Sequence, residues 1–206
     1  VYNGFGEVER YTAKVDGNPV FDTRYARDKL GRVTRKTETL AGVTETFDYA
    51  YDSAGRLVEV ERNGRLQSAY AYDANGNRTR VNGVEIARYD DQDRLVAYRN
   101  ATYAYTANGE LETKTVGPDA GEVTEYTYDV LGNLTRVTRP DGTVIDYLID
   151  GQNRRIGKKL GGTLVQGFLY QDPLNPVAEL DGNGNVIARF VYGDKGNVPA
   201  YLIKID

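Results

Sequence analysis

Tyr51-Asp52-Ser53-Ala54-Gly55-Arg56-Leu57 is the stretch whose reading decides the fold. Each residue type in it has a physical job. An Asp can turn its carboxylate back onto nearby backbone N–H groups and start a turn. Gly55 takes positive φ without a Cβ clash. Leu57, two residues later, starts the next strand facing inward. Alone, the stretch is one β-turn. It matters because it recurs with variations from end to end.

Upstream lies Tyr25-Ala26-Arg27-Asp28-Lys29-Leu30-Gly31-Arg32-Val33. Downstream come Tyr72-Asp73-Ala74-Asn75-Gly76-Asn77-Arg78, then Tyr89-Asp90-Asp91-Gln92-Asp93-Arg94-Leu95. Tyr105-Thr106-Ala107-Asn108-Gly109-Glu110-Leu111 puts Thr106 in place of the Asp. Tyr128-Asp129-Val130-Leu131-Gly132-Asn133-Leu134 restores both signature residues. Asp150-Gly151-Gln152-Asn153-Arg154-Arg155-Ile156 has Asn153 where Gly is expected. Tyr192-Gly193-Asp194-Lys195-Gly196-Asn197-Val198 is the last copy, and Val1 to Val8 reads as a truncated one. The spacing is irregular but stays near roughly twenty residues, at the short end of repeat architectures. The substitutes Asp93 and Asn153 are among the few other residues that tolerate a left-handed backbone.

A second turn signal falls between the copies. Asn63-Gly64, Asn82-Gly83 and Asp141-Gly142 are dipeptides of tight two-residue hairpins. Aromatics occur at alternate positions before the first turns: Phe47, Tyr49 and Tyr51, Tyr70 and Tyr72, Tyr103 and Tyr105, Tyr126 and Tyr128. Phe168 with Tyr170, and Phe190 with Tyr192, continue the series. A period of two puts each set on one sheet face. Repetition then predicts aromatic ladders, each cross-strand pair contributing roughly 0.2–1 kcal/mol. Frequent Thr, Val, Tyr and Gly disfavour helix.

The expected fold is all-β: hairpins in tandem along one long curved antiparallel sheet. Pro118-Asp119-Ala120-Gly121 should lengthen one loop. Gln171 to Leu180 carries Pro173 and Pro176, and predicts an edge, a corner or a long loop, because Pro cannot donate to a ladder. No linker composition appears, so residues 1–206 read as one array and a single domain.

Composition excludes much chemistry. The 206 residues contain no Cys and no His. That removes disulfides, thiolate nucleophiles, imidazole bases and the usual zinc or haem ligands. The net charge of −4 gives no electrostatic footprint for nucleic acid. No apolar run reaches the length of a membrane span. Neither a signal-peptide pattern nor an initial Met is present, so an internal piece of a longer chain is expected.

The sharper motifs yield to turn chemistry. Asp181-Gly182-Asn183-Gly184-Asn185 alternates oxygen side chains as calcium loops do. Its sixth position is Val186 rather than Gly and its twelfth Tyr192 rather than Glu. Asp73, Asn75 and Asn77 fail similarly. Carboxylate pairs suited to glycosidase work are expected by chance among 30 acids on close strands. Asn77-Arg78-Thr79, Asn100-Ala101-Thr102 and Asn133-Leu134-Thr135 fit the glycosylation triplet, which chance also supplies. No catalytic residue, metal or cofactor is therefore assigned, and the chain is expected not to be an enzyme.

The recurrent Tyr-Asp-x-x-Gly-Arg-Leu unit resembles the YD repeat of Rhs proteins, found also in toxin-complex C components and teneurins. Phe168 to Asp181 and Tyr192 to Pro199 are similar to late segments of bacterial Rhs proteins in particular. The resemblance implies a sheet of YD hairpins that spirals into a hollow shell around a C-terminal toxin. It also implies a sealing core, often with an aspartic-protease-like site. No Asp-Pro-x-Gly core segment occurs here, so neither autoproteolysis nor toxicity is assigned. The implied partners are the rest of the same chain, its sealing core and its toxin domain. The implied location is secreted or at a cell surface. Open sheet edges predict some self-association. A carbohydrate or cell-surface binding module, using tyrosine-rich faces to stack on sugars, is the competing class.

Overall fold

A computed structural model describes residues 1–118 and 121–205. Asp119 and Ala120, within the loop expected to be long, lie outside the described residues, as does Asp206. Among the described residues every regular element is a β-strand. The chain divides into two compact units, residues 1–99 and 100–206.

The first unit holds β1 (Arg10–Val15), β2 (Asn18–Arg27), β3 (Val33–Leu40), β4 (Val43–Tyr51) and β5 (Leu57–Arg62). It continues with β6 (Arg65–Tyr72), β7 (Arg78–Val81), β8 (Val84–Glu85), β9 (Ala87–Tyr89) and β10 (Leu95–Tyr98). Strands β1 to β8 form one antiparallel sheet in sequence order. The ladder then changes hands at Ile86. Val84 and Glu85 pair back to β7, while Ala87 and Tyr89 pair forward to β10. The Ile86 N–H still donates to Thr79 at 2.8 Å, and its carbonyl accepts from Arg99 at 2.7 Å. Within this unit the expected meander thus keeps its sequence order, while its ladder passes from one sheet to another at Ile86.

The second unit holds β11 (Ala101–Tyr105), β12 (Leu111–Val116), β13 (Glu122–Tyr128), β14 (Leu134–Thr138) and β15 (Val144–Ile149). It ends with β16 (Arg155–Leu160), β17 (Thr163–Tyr170), β18 (Pro176–Leu180), β19 (Val186–Tyr192) and β20 (Pro199–Lys204). From β11 to β20 the strands again pair antiparallel in sequence order.

Neither unit stacks a second layer on its sheet. Among the described residues, contacts between elements join neighbours in sequence, apart from β7 with β9. Among the described residues no large side chain is fully buried. The most buried apolar residues are scattered along the sheet: Ala87, Ala101, Val137, Ile145, Ala178 and Ala188. Val137 and Ile145 face each other across β14 and β15, and Val137 is also opposite Tyr126. Stability must therefore come from cross-strand contacts and from the turns.

Tight turns at one end of the strands match the two-residue expectation at Asn63-Gly64 and Asn82-Gly83. Both residues of each pair have positive φ, 52° and 73° in the first, 51° and 79° in the second. Asp16-Gly17, Ala41-Gly42 and Gly161-Gly162 repeat that geometry. Asp141-Gly142 does not. There the Arg139 N–H donates to Thr143 at 2.9 Å, closing a wider turn with only Gly142 left-handed. Pro140 supplies the reason, since its ring fixes φ near −65°.

The proline-bearing segment also departs from expectation. Gln171 to Asn175 is a turn, with the Gln171 N–H donating to the Asn175 carbonyl at 2.9 Å. Pro176 then opens β18, which lies between β17 and β19. As the first residue of a strand, Pro176 demands no ladder donor.

Candidate functional site

The feature built most consistently is the row of turns that the Asp residues start. In the first turn quoted above, the Asp52 carbonyl accepts from the Gly55 N–H at 3.0 Å. The Asp52 N–H donates to the Arg56 carbonyl at 2.9 Å. Gly55 sits at φ 83°, a region L side chains avoid. The Asp52 carboxylate completes the turn. Its Oδ1 accepts from the Arg56 N–H at 2.8 Å and its Oδ2 from Arg56 Nε at 2.7 Å.

The same scheme recurs at Asp28 with Arg32, Asp90 with Arg94 and Asp150 with Arg154. Asp73 uses Asn77 and Asp129 uses Asn133 in the arginine's place. Asp172 uses Asn175. Two turns invert the chemistry. Asn3 takes the Asp position and donates to Glu7 at 2.8 Å, while Thr106 donates its hydroxyl to Glu110. Tyr2-Asn3-Gly4-Phe5-Gly6-Glu7-Val8 is thus a complete copy, with Gly6 at φ 78° and Tyr2 bridged to Val8. Asp181 builds a turn of this kind at the other end of the strands, spending Oδ1 on the Asn183 and Asn185 N–H groups.

These bonds hold the Asp52, Asp129 and Asp150 carboxyls below the usual range. For Asp52 the Arg56 backbone N–H is the main cause, followed by the Arg56 side chain. For Asp150 and Asp129 the side chains of Arg154 and Asn133 come first.

In four of these hairpins the strand before the turn ends on a tyrosine, opposite the leucine that follows the turn. Tyr51 is opposite Leu57, Tyr89 opposite Leu95, Tyr105 opposite Leu111 and Tyr128 opposite Leu134. The register shifts at that pair in every one of these hairpins, a bulge that sharpens local twist and that no residue type announced. The four leucines are half-buried.

The rings do not form the expected aromatic ladders. Their neighbours are cations. The Arg32 guanidinium lies over Tyr51 at 4.7 Å, Arg56 over Tyr72 at 4.8 Å and Arg154 over Tyr170 at 5.1 Å. Lys36 caps Phe47 and Arg78 caps Tyr70. Across the strands Tyr49 meets Val60 and Tyr70 meets Val81. A side chain from one copy thus covers the ring of the next.

A further bond ties the same copies. Tyr51 donates its hydroxyl to the Val33 carbonyl, Tyr72 to Leu57, Tyr170 to Arg155 and Tyr192 to Pro176. Arg56 also reaches the Asp73 carbonyl with Nη1 at 3.2 Å. Arg56 thus joins the Asp52 carboxylate, the next turn's backbone and the next ring.

The remaining predicted positions divide. Gly31, Gly76, Gly109 and Gly132 all have positive φ, and Asp93 and Asn153 sit at 59° and 64°. Gly196 does not; the left-handed residue there is Asn197, at 63°. That hairpin is one residue longer, since Tyr192 pairs with Pro199 rather than with Val198. Tyr25 is not the closing ring of its copy. Arg27 holds that place opposite Val33 and lies over the Tyr25 ring at 5.9 Å. Asp172 escaped notice because it follows Tyr170 by two residues instead of one. Its distance from Asp150, close to one repeat, was the available signal.

A family model for the teneurin YD-shell matches residues 1–204. The chain belongs to the YD-shell family. Teneurin-4 of Mus musculus is 26% identical over 183 residues, 85% of this chain and 6% of its own length. Teneurin-3 of Danio rerio is 32% identical over 155 residues, 70% of this chain and 5% of its own. The tRNA nuclease WapA of Bacillus subtilis (strain 168) is 28% identical over 155 residues, 71% of this chain and 6% of its own. The chain therefore spans about one twentieth of the length of these relatives. Among solved structures, a TcdB2-TccC3 crystal structure aligns with TM-score 0.45 and 15% identity, over 86% of this chain and 10% of that one. The role of this YD-shell segment is structural, that of a piece of shell-like β-architecture.

Proposed function

We propose that this chain is a stretch of wall in a shell that encloses a C-terminal toxin domain of the same polypeptide, outside the producing cell or on its surface. One observation carries the reading. The carboxylates that could do chemistry on the turn row are engaged in closing their own turns, and the guanidinium groups of Arg32, Arg56 and Arg154 also cover the ring of the next copy. In this reading the segment works by exclusion and performs no catalysis. Its partners are the sealing core and the toxin domain of its own chain. The outer edges of β1 and β20 take up further strands, which would make the chain self-associate when these edges are bare.

Glycan binding has less support. A sugar stacking on Tyr51, Tyr72 or Tyr170 would have to displace a guanidinium.

Limited proteolysis of the complete protein tests the enclosure. The toxin domain should stay uncut while the shell is intact and become cleavable when residues 1–206 are deleted. Equal cleavage in both proteins would overturn the reading.

A further inference from the structure

Neighbouring turns show a second regularity, seen between them rather than inside them. In each turn of this row but the one started by Asp172 and the last one, the fourth residue is left-handed, as Gly55 is, and the fifth returns to the starter, as Arg56 does. In six pairs of neighbouring turns the fifth residue of one lies against the left-handed residue of the next. A Cβ on Gly55 would sit 3.4 Å from Nη1 of Arg32, and one on Gly76 would sit 3.7 Å from Nη1 of Arg56. A Cβ on Gly31 would meet Oε1 of Glu7 at 2.9 Å, and one on Gly132 would meet Oε1 of Glu110 at 3.7 Å. In all four cases a long side chain is followed by glycine.

Asparagine at the fifth position changes the next turn. Asn77 is followed by Asp93 and Asn133 by Asn153, both at positive φ. Their side chains reach back. Asn77 Nδ2 donates to Asp73 Oδ2 at 3.1 Å and also to Asp93 Oδ1 at 2.8 Å. Asn133 Nδ2 donates to Asp129 Oδ2 at 2.9 Å and to Asn153 Oδ1 at 2.5 Å. The physical reason is reach and valence. Asparagine is too short to cover the next turn, and its amide has two hydrogens. One satisfies its own carboxylate; the other needs an acceptor. Asp and Asn carry one and still tolerate the left-handed backbone.

We propose that the fifth residue of one turn and the left-handed residue of the next are a matched pair, which decides which copies are accepted side by side. Long residues require glycine, and asparagine requires Asp or Asn. The Asp172 turn contains no left-handed residue and stands outside the rule. The pairing makes the order of the copies a property of the sequence, whatever the shell encloses.

Denaturant midpoints of the whole chain test the rule through substitution cycles. R32N and G55N should each lower the midpoint. The double variant R32N/G55N should lose clearly less than the sum of the two, because it recreates the Asn133–Asn153 arrangement. R32N combined with G76N is the control: Gly76 follows Arg56, so those losses should add. The mirror cycle N133R, N153G and N133R/N153G should show the same coupling, and it remains readable if the Arg32 variants do not fold. Additive losses in the adjacent pairs, or equal coupling in the control, would overturn the proposal.

Discussion

The hydroxyl of Tyr72 donates to the carbonyl of Leu57, fifteen residues earlier, at 2.7 Å. Leu57 is the residue that leaves the Asp52 turn, so this bond fastens one copy to its predecessor. Tyr72→Phe keeps the ring under Arg56 and removes only the bond. A net loss of about 0.5–1.5 kcal/mol is expected, read as a lower urea midpoint with an unchanged slope. Tyr51→Phe should behave alike, since its hydroxyl serves Val33.

Arg56→Lys should not be conservative. Lysine offers one point charge in place of a fork that meets Asp52, the Asp73 carbonyl and the Tyr72 face. The lost stacking alone is worth about 0.5–1 kcal/mol. Equilibrium unfolding should place the lysine variant nearer to Arg56→Ala than to the parent. An arginine facing only solvent would show no loss in either.

Gly55→Val tests the left-handed position. At φ 83° an L residue costs about 1–2 kcal/mol, and a β-branched one more. The new Cβ would also come into contact with Arg32, 3.4 Å from its Nη1. A lower midpoint is expected, with a smaller drop for Gly55→Ala.

Acid should undo the turns together. Asp52, Asp129 and Asp150 are held below their ordinary values, so their contribution to stability is complete above the unfolded carboxyl range near about pH 3.9. It is lost as pH falls further, through the native values. With no histidine, nothing in the side chains titrates ordinarily between about pH 5 and 8. The urea midpoint should stay level from neutral pH down to about 5 and fall steeply below 4. Asp52→Asn should lower the plateau and soften that fall.

Much of this was legible in the residues. Gly55 with its substitutes Asp93 and Asn153 identified a left-handed position, because few residue types tolerate it. Alternate aromatics identified strands. What stayed hidden depends on partners distant in sequence. Nothing local says that Arg56 will lie on Tyr72, so the rings were assigned to one another. Asp141-Gly142 carries the dipeptide of a two-residue turn, but Pro140, one step earlier, fixes its own φ and widens the turn. Pro176 looked like an interruption, whereas a strand's first position has no donor to lose. Asn197 displaced Gly196 through one added residue, which a motif of fixed length does not register.

The absence of a second layer has a consequence for how the molecule is made. Each strand touches little beyond the strands just before and just after it. No segment has to wait for a distant one to be synthesised. A hairpin can join the growing edge as it leaves the ribosome, and its turn closes with bonds it carries itself. Such local closure favours fast assembly, because little loop entropy is lost before contacts form. It also confines damage: one faulty copy weakens its two neighbours and leaves the remainder intact.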